Sequence, residues 1–222
     1  MPADDFASLA ARADLARLLA ACYYQPGPEF AEERLFDSLH AAAAAIDDDL
    51  AARANALGEA YAAADAQELL IDYTRLFLGP TNTVAQPYGS VWLEQRQTLM
   101  QDSTAAVLAL YAEGGFAISD DFLDLPDHIA AELEFLYLML FRQAEALRQG
   151  DEAARARHAR LQQRLLAEHL GRWVPPFAAA IRAGAQTAFY PALAELTAEF
   201  VARQQAQVAA ASPPEQAGAQ PA

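Results

Sequence analysis

Nowhere along this chain do β-branched residues alternate as a half-buried strand requires. Instead, apolar residues recur every three to four positions within segments dominated by alanine, leucine, glutamate, glutamine and arginine. Such a pattern favours helices, and the spacing predicts them at 4–22, 29–45, 48–64, 66–78, 103–113, 127–149, 151–171, 175–184 and 189–206. Stop signals fall between them: QPGP at 25–28, Gly79-Pro80 and Gly114-Gly115, where glycine takes the left-handed position and proline forbids continuation. Asp47 to Asp49 and Asp65 supply carboxylates to cap the third and fourth helices. The expected fold is all-α, a single globular helical domain of about nine to ten helices over 1–206 with a long ordered loop. A disordered Ala/Pro/Gln-rich tail is expected over 207–222.

A chain of 222 residues that is 54% hydrophobic can bury a sizeable core. Its charge narrows the choice of partners: 30 acidic against 15 basic residues give −15, which disfavours nucleic acid and anionic lipid. Every basic residue is arginine, so neither a Schiff-base lysine nor the lysine of a phosphate-binding loop is present. The single cysteine, Cys22, lies on a helical pattern, which excludes a disulfide framework and a thiolate zinc cluster. The first residues lack the basic, apolar, small-residue order of a secretory signal, and no uncharged apolar run is long enough to span a bilayer. The expected location is the cytoplasm, without stable membrane insertion.

Two stretches carry the functional signal. GPTNTVAQPYGSVWLEQRQTLMQ (79–101) has no helix pattern in its first half, and loops of such length inside compact domains tend to be functional. Phe77, Tyr88 and Trp92 bracket it and are placed to wall a recognition groove, with core packing the alternative for Phe77. LPDHIAAELEFLYLML (125–140) joins a proline and an Asp-His pair to an apolar helix. On that helix His128, Glu132, Phe135 and Met139 share a face within about 40°. Ile129, Leu133, Leu136 and Leu140 form the neighbouring stripe, the natural core seam. Asp127 is placed to cap the helix start. Glu132 leads onto an otherwise apolar face, and a carboxylate there must either find a donor or line an open groove.

A helical metal site centred on His128 and Glu132 is one alternative; a full ligand set needs more, and His40, His158 and His169 form no ligand-spaced pair. The Arg155–Arg172 segment, with Arg157, Arg160 and Arg164 on one face, offers an anion or nucleotide site, or else a solvated face paired with the acidic parts. Between Arg96 and Arg142 there is no basic residue, yet Asp102, Glu113, Asp120, Asp121, Asp124, Asp127, Glu132 and Glu134 fall there. Such a region suits a basic, apolar peptide, or is simply a solvated acidic surface. No GxSxG, Walker loop, HExxH or Cys/His pair is present, so no catalytic or metal residue is assigned and an enzyme is not expected.

YTRLFLGP (73–80), QPYGSVWLE (86–94) and LPDHIAAELEFL (125–136) resemble the signature stretches of the TorD/DmsD/NarJ family of redox-enzyme maturation chaperones. HLGRWVPPFAAAI (169–181) and FYPALAEL (189–196) extend the resemblance, as does ARLLAACYYQPGPEF (16–30) more weakly. The resemblance implies an all-helical cytoplasmic chaperone without catalytic turnover and without a cofactor of its own. The implied partners are the apo form of a molybdoenzyme catalytic subunit and its twin-arginine signal peptide, held until cofactor insertion is complete so that export is not premature. A monomer or a domain-swapped dimer is implied. The family's peptide-binding region maps here to Tyr73, Leu76, Phe77, Gly79, Pro80, Pro87, Tyr88, Ser90 and Trp92, joined by Asp127, His128, Glu132 and Phe135.

Overall fold

A computed structural model describes residues 5–79, 83–94, 99–118 and 124–211, and the described residues hold helices and no named strand. In chain order the helices are α1 (Phe6–Ala21), α2 (Glu29–Glu32), α3 (Leu35–Ala44), α4 (Asp48–Ala63) and α5 (Ala66–Tyr73). Then come a π-helical turn (Thr74–Leu78), α6 (Gly89–Leu93), α7 (Asp102–Gly114), α8 (Ile129–Gln149), α9 (Glu152–Glu168), α10 (Leu170–Gly184) and α11 (Phe189–Ala211). The expected caps operate: Asp47 accepts from the Asp49 and Leu50 amides, and Asp65 from those of Gln67 and Glu68. Gly115 ends α7 in the left-handed conformation at φ 62°.

Several boundaries differ from the sequence pattern. The expected 29–45 helix splits, because Arg34 adopts φ 52° and ψ 45° between α2 and α3. The expected 66–78 helix finishes in the π turn, whose wider ring re-aims the last side chains, leaving Leu76 and Phe77 buried together. The break between the ninth and tenth helices falls at His169, with φ −127° and ψ −101°, so Pro175 and Pro176 lie inside α10 rather than in its first turn. The long loop contains α6, which no periodicity announced. α11 continues to Ala211, five positions past the expected end at 206; the remainder of the expected tail, 212–222, lies outside the described residues.

The long α8 runs against α1 at the centre, with α9 on the other side of α8, α10 against α11, and α3 against α4. That placement decides which faces of α8 are buried. Ile129, Leu133, Leu136 and Leu140 are fully buried as a core seam should be, but so are Glu132, Phe135 and Met139 on the neighbouring face. Phe135 lies so near α7 that a Cβ on Gly114 would sit 2.6 Å from its ring. A buried polar chain ties the bundle together. Arg12 Nε donates to Gln204 Oε1 at 2.9 Å, and Gln143 Nε2 donates to Gln162 Oε1 at 2.9 Å. Gln162 Nε2 also reaches Gln204 Oε1, at 3.4 Å. This chain spans α1, α8, α9 and α11, and such satisfied networks fix one arrangement of elements. Among the described residues no helix is long and apolar enough to cross a membrane.

Candidate functional site

The second and third motifs meet in a short clasp. Tyr88 and His128 are both extended and face each other as an isolated antiparallel bridge. Gly89 N–H donates to the Asp127 carbonyl at 2.8 Å, and Ile129 N–H donates to the Pro87 carbonyl at 2.8 Å. These two bonds join the start of α6 to the start of α8. The side chains continue the join. Asp127 Oδ2 accepts from the Ser90 amide at 2.8 Å, so this carboxylate caps α6 rather than the helix that follows it in sequence. His128 caps α8 instead, its Nδ1 accepting from the Ala130 amide at 3.2 Å. An imidazole that accepts there is neutral, and burial lowers the His128 pKa from its ordinary 6.5 to about 4, against the opposing charges of Asp124 and Asp127.

Glu132 lies directly behind the clasp and is fully buried. Its donor is Trp173 on α10, whose Nε1 stands 3.2 Å from both carboxyl oxygens. Burial pushes the Glu132 carboxyl well above the usual range; the Trp173 donor opposes this and the charge of Asp127 adds to it. Gly89 covers the pair closely, since a Cβ there would lie 3.0 Å from both Glu132 Oε1 and Trp173 Nε1. Two buried polar atoms of the clasp, Asp127 Oδ1 and Ser90 Oγ, have no hydrogen-bond partner. Such atoms are rare in native interiors, where protein groups or ordered water satisfy most buried polar atoms.

The outer surface of the clasp is aromatic and acidic. Tyr88 stands edge-on to His128 with centroids 5.5 Å apart, and its hydroxyl donates to Asp124 Oδ1 at 2.7 Å. Tyr24 donates to Glu134 Oε1 at 2.8 Å. Asp124 is exposed and Glu134 half-buried, whereas Asp127 and Glu132 are not reachable from solvent in this conformation. Trp92 is half-buried, donates to the Gln86 carbonyl at 2.8 Å and contacts the Phe177 ring.

Pro87, Tyr88, Ser90, Asp127, His128 and Glu132 are therefore brought together. Phe135 is not among them: it lies deeper, packed on Tyr111 and Phe116. Leu76 and Phe77 are core residues, Phe77 in contact with Tyr23, Tyr73, Phe177 and Tyr190. The Leu76 carbonyl accepts from the Ala85 amide at 2.9 Å, which returns the chain towards the clasp. Tyr73 is buried and Gly79 half-buried, while Pro80, Asp120 and Asp121 lie outside the described residues. Of the two possibilities open to Glu132, the structure shows the donor: Glu132 lies behind the clasp and Phe135 deeper in the core, both fully buried because α8 is covered on both faces. Sequence reasoning did not single out Trp173, although HLGRWVPPF already carried the resemblance, and a buried Glu132 required some donor.

The two alternatives find little in the structure to use. The Nδ1 of His128 is occupied as a cap, and among the described residues no group of three or more His, Cys, Asp or Glu could hold a metal ion. In the arginine-rich segment Arg155 pairs with Glu152 at 3.2 Å and Arg164 with Glu113 at 2.5 Å, the arrangement of a solvated helix face.

The described residues form an all-helical bundle with an acidic, aromatic clasp between two of the sequence motifs. Residues 41–179 match the family model described as nitrate reductase delta subunit. The chain is 30% identical over 147 residues to chaperone protein TorD of Photobacterium profundum, covering 66% of this chain and 67% of that one. It is 34% identical over 136 residues to the Tat proofreading chaperone DmsD of Salmonella typhi, covering 61% and 60% respectively. The matched stretch thus spans between three fifths and two thirds of these relatives. A crystal structure of a candidate redox-enzyme maturation protein from Archaeoglobus fulgidus shares the fold, with a TM-score of 0.53 at 20% identity over 86% of this chain and 93% of that one. The chain belongs to the TorD/DmsD/NarJ family of redox-enzyme maturation chaperones, which are not enzymes.

Proposed function

We propose that this protein acts in the cytoplasm, where it binds the twin-arginine signal peptide and the apo form of a molybdenum-cofactor oxidoreductase. It holds that client for cofactor insertion and so prevents premature export. The observation that carries this reading is the clasp, where two of the family's signature stretches are hydrogen-bonded to one another beneath an acidic aromatic surface. The relative named a Tat proofreading chaperone supports the choice of client.

A twin-arginine leader couples guanidinium groups to an apolar segment, and guanidinium pairs with carboxylate in a bidentate fork. Asp124 and Glu134 are the accessible carboxylates above the clasp, and Asp127 lies just beneath with one oxygen unpartnered. In this proposal Tyr88 and Trp92 offer the aromatic contacts, and Pro87, Ser90 and His128 shape the clasp. Glu132 holds Trp173 and α6 in place from behind. Tyr73, Leu76, Phe77, Gly79 and Phe135 act at longer range by building the wall on which the peptide rests, and Pro80 joins the proposal from its motif alone. Calorimetric titration with a twin-arginine leader tests this: changing both arginines to glutamine, or Asp127→Ala with His128→Ala in the protein, is expected to weaken binding at least about tenfold. Unchanged affinity in both experiments would remove the clasp from recognition.

A further inference from the structure

Helix α8 leaves one stripe uncovered. Phe141 is 45% exposed, and Tyr137 and Leu138 are half-buried beside it, the Tyr137 and Phe141 rings lying 5.9 Å apart. Glu134 stands on the same stripe towards the helix start, and Glu145 and Arg148 towards its end. At about 100° per residue these side chains all fall within about 60° of Phe141. The other sides of α8 are taken by α1 and α9, and Arg142 reaches the Gly114 and Gly115 carbonyls. Tyr137, Leu138 and Phe141 form one contiguous apolar patch rimmed by charge, the pattern of a contact surface.

The order of the charges fits one occupant. Glu134 and Arg148 lie in opposite directions from Phe141, each about 10 Å away along the axis, and about 20° to either side of it. Tyr137 and Glu145 are likewise opposed, about 6 Å away and about 40° to either side. A half-turn about an axis through Phe141 therefore exchanges the members of each pair. With two copies of α8 antiparallel across that axis, the Phe141 rings meet at the centre. Each Glu134 then faces an Arg148, and each Tyr137 hydroxyl faces a Glu145 carboxylate, the self-complementary pattern of an isologous contact.

Within one chain Arg148 Nη2 is 2.7 Å from Glu145 Oε2, a surface pair one turn apart that holds neither group fast. The same guanidinium can keep Glu145 and turn its other edge to Glu134 of a second copy. A basic peptide laid along the stripe would bring like charge onto Arg148, and an acidic one onto Glu134. A face whose sign reverses along its length matches its own reversed copy. The net charge of −15 opposes association. At physiological ionic strength, however, exposed charges more than about 8 Å apart are largely screened, so the groups at the contact decide. One helix face per copy is a small interface, and a dimer that dissociates at roughly 10–100 μM is expected.

Glu134 also belongs to the surface of the clasp, where Tyr24 donates to its Oε1 at 2.8 Å. We infer that two copies of this chain pair through antiparallel α8 helices centred on Phe141, and that Arg148 of the second copy occupies the Glu134 carboxylate that a leader arginine would otherwise take. The second half of this inference rests on the signal-peptide reading above. Self-association then covers part of the recognition surface in the absence of a client. A leader peptide and the second copy compete for Glu134, and by linkage each weakens the other by the same factor.

Sedimentation equilibrium of the full chain tests the pairing, and the wild type is expected to dimerise. Glu134→Arg sets arginine against arginine and Arg148→Glu sets glutamate against glutamate, and each alone should weaken self-association at least about tenfold. An equimolar mixture of these two variants opposes arginine to glutamate at both ends of the contact and should dimerise as the wild type does. Only folded components can rescue one another, so the mixture also controls for folding. Phe141→Glu, which puts two carboxylates at the centre, should likewise weaken the dimer at least about tenfold. A wild type that stays monomeric, single variants that dimerise undiminished, or a mixture no better than its components would overturn the pairing. A twin-arginine leader titrated into the wild-type dimer should dissociate it, and a leader with both arginines changed to glutamine should not. A leader that binds while the dimer persists would overturn the sharing of Glu134. A leader that does not bind at all would sink the signal-peptide reading and the sharing with it, whereas the pairing is decided by the mixed variants alone.

Discussion

Asp72 and Asp127 are equally buried, each 1% exposed, yet one is saturated with donors and the other is not. Asp72 Oδ2 accepts from the Gln186 and Thr187 amides at 2.9 and 2.8 Å and from the Thr187 hydroxyl at 2.9 Å. Its Oδ1 accepts from Arg75 at 2.7 Å. Burial alone would raise this carboxyl, but those donors together outweigh burial and hold it below the ordinary range. Asp127 has one amide donor and a bare Oδ1, beside a Ser90 hydroxyl that is also unpartnered. The first is a structural clip between α5 and the turn before α11. The second joins the start of α6 to the start of α8 through a single side-chain acceptor, so two carboxylates of equal depth differ in how many donors hold them.

Stability measurements can break that contrast. Asp72→Ala removes the acceptor of two amides and the Thr187 hydroxyl and the carboxylate partner of Arg75, which keeps the Gly184 carbonyl, and is expected to cost about 3–5 kcal/mol in urea unfolding. Asp127→Asn keeps an acceptor for the Ser90 amide and is expected to cost less than about 1 kcal/mol. Equal losses would make Asp127 a clip of the same kind. Next in size, Gly89→Ala drives a methyl group into the Glu132–Trp173 contact, and about 1–3 kcal/mol should be lost, with the Trp173 environment visibly altered in fluorescence. Absence of both changes would mean that the clasp is looser than its distances indicate.

Two smaller effects sharpen the electrostatics. The His128 pKa is depressed from 6.5 to about 4, so the unfolded chain takes up this proton first as the solution is acidified. Its contribution is therefore complete above pH 6.5 and lost as pH falls to about 4, and His128→Gln should flatten that part of the stability profile. Glu132 has the opposite sign: its raised carboxyl contributes fully below the ordinary 4.5 and loses that contribution as pH rises through the folded value. Glu132→Gln preserves an acceptor for Trp173 and should abolish the decline in stability that sets in as pH rises above 4.5. A decline that persists in the variant would assign it to another group.

Much of the fold was legible because local signals governed it. Asp47, Asp65 and Gly115 end or begin helices where their chemistry says they should. The failures have a common cause in tertiary packing. Arg34 in the left-handed region and the break at His169 carry no glycine or proline of their own, so nothing local announces them. Pro175 and Pro176 read as a helix start but sit within α10. The face of α8 bearing Glu132 read as half-open because helical periodicity assumes one solvent side, and a central helix has none. The candidate site was legible as three motifs, and the structure joins two of them through the Tyr88–His128 bridge. Its donor Trp173, 41 positions from Glu132, was not, since pairing across such a separation leaves no trace in spacing.

The most direct measurement is calorimetric titration of a twin-arginine leader into the wild type and into a variant combining Asp124→Asn with Glu134→Gln. Both substitutions preserve acceptors for Tyr88 and Tyr24, so folding should be unaffected while the carboxylate charge above the clasp is removed. A loss of at least about tenfold in affinity, with an unchanged unfolding midpoint, is the expected result. Full affinity in the variant would contradict recognition of the arginine pair at this surface.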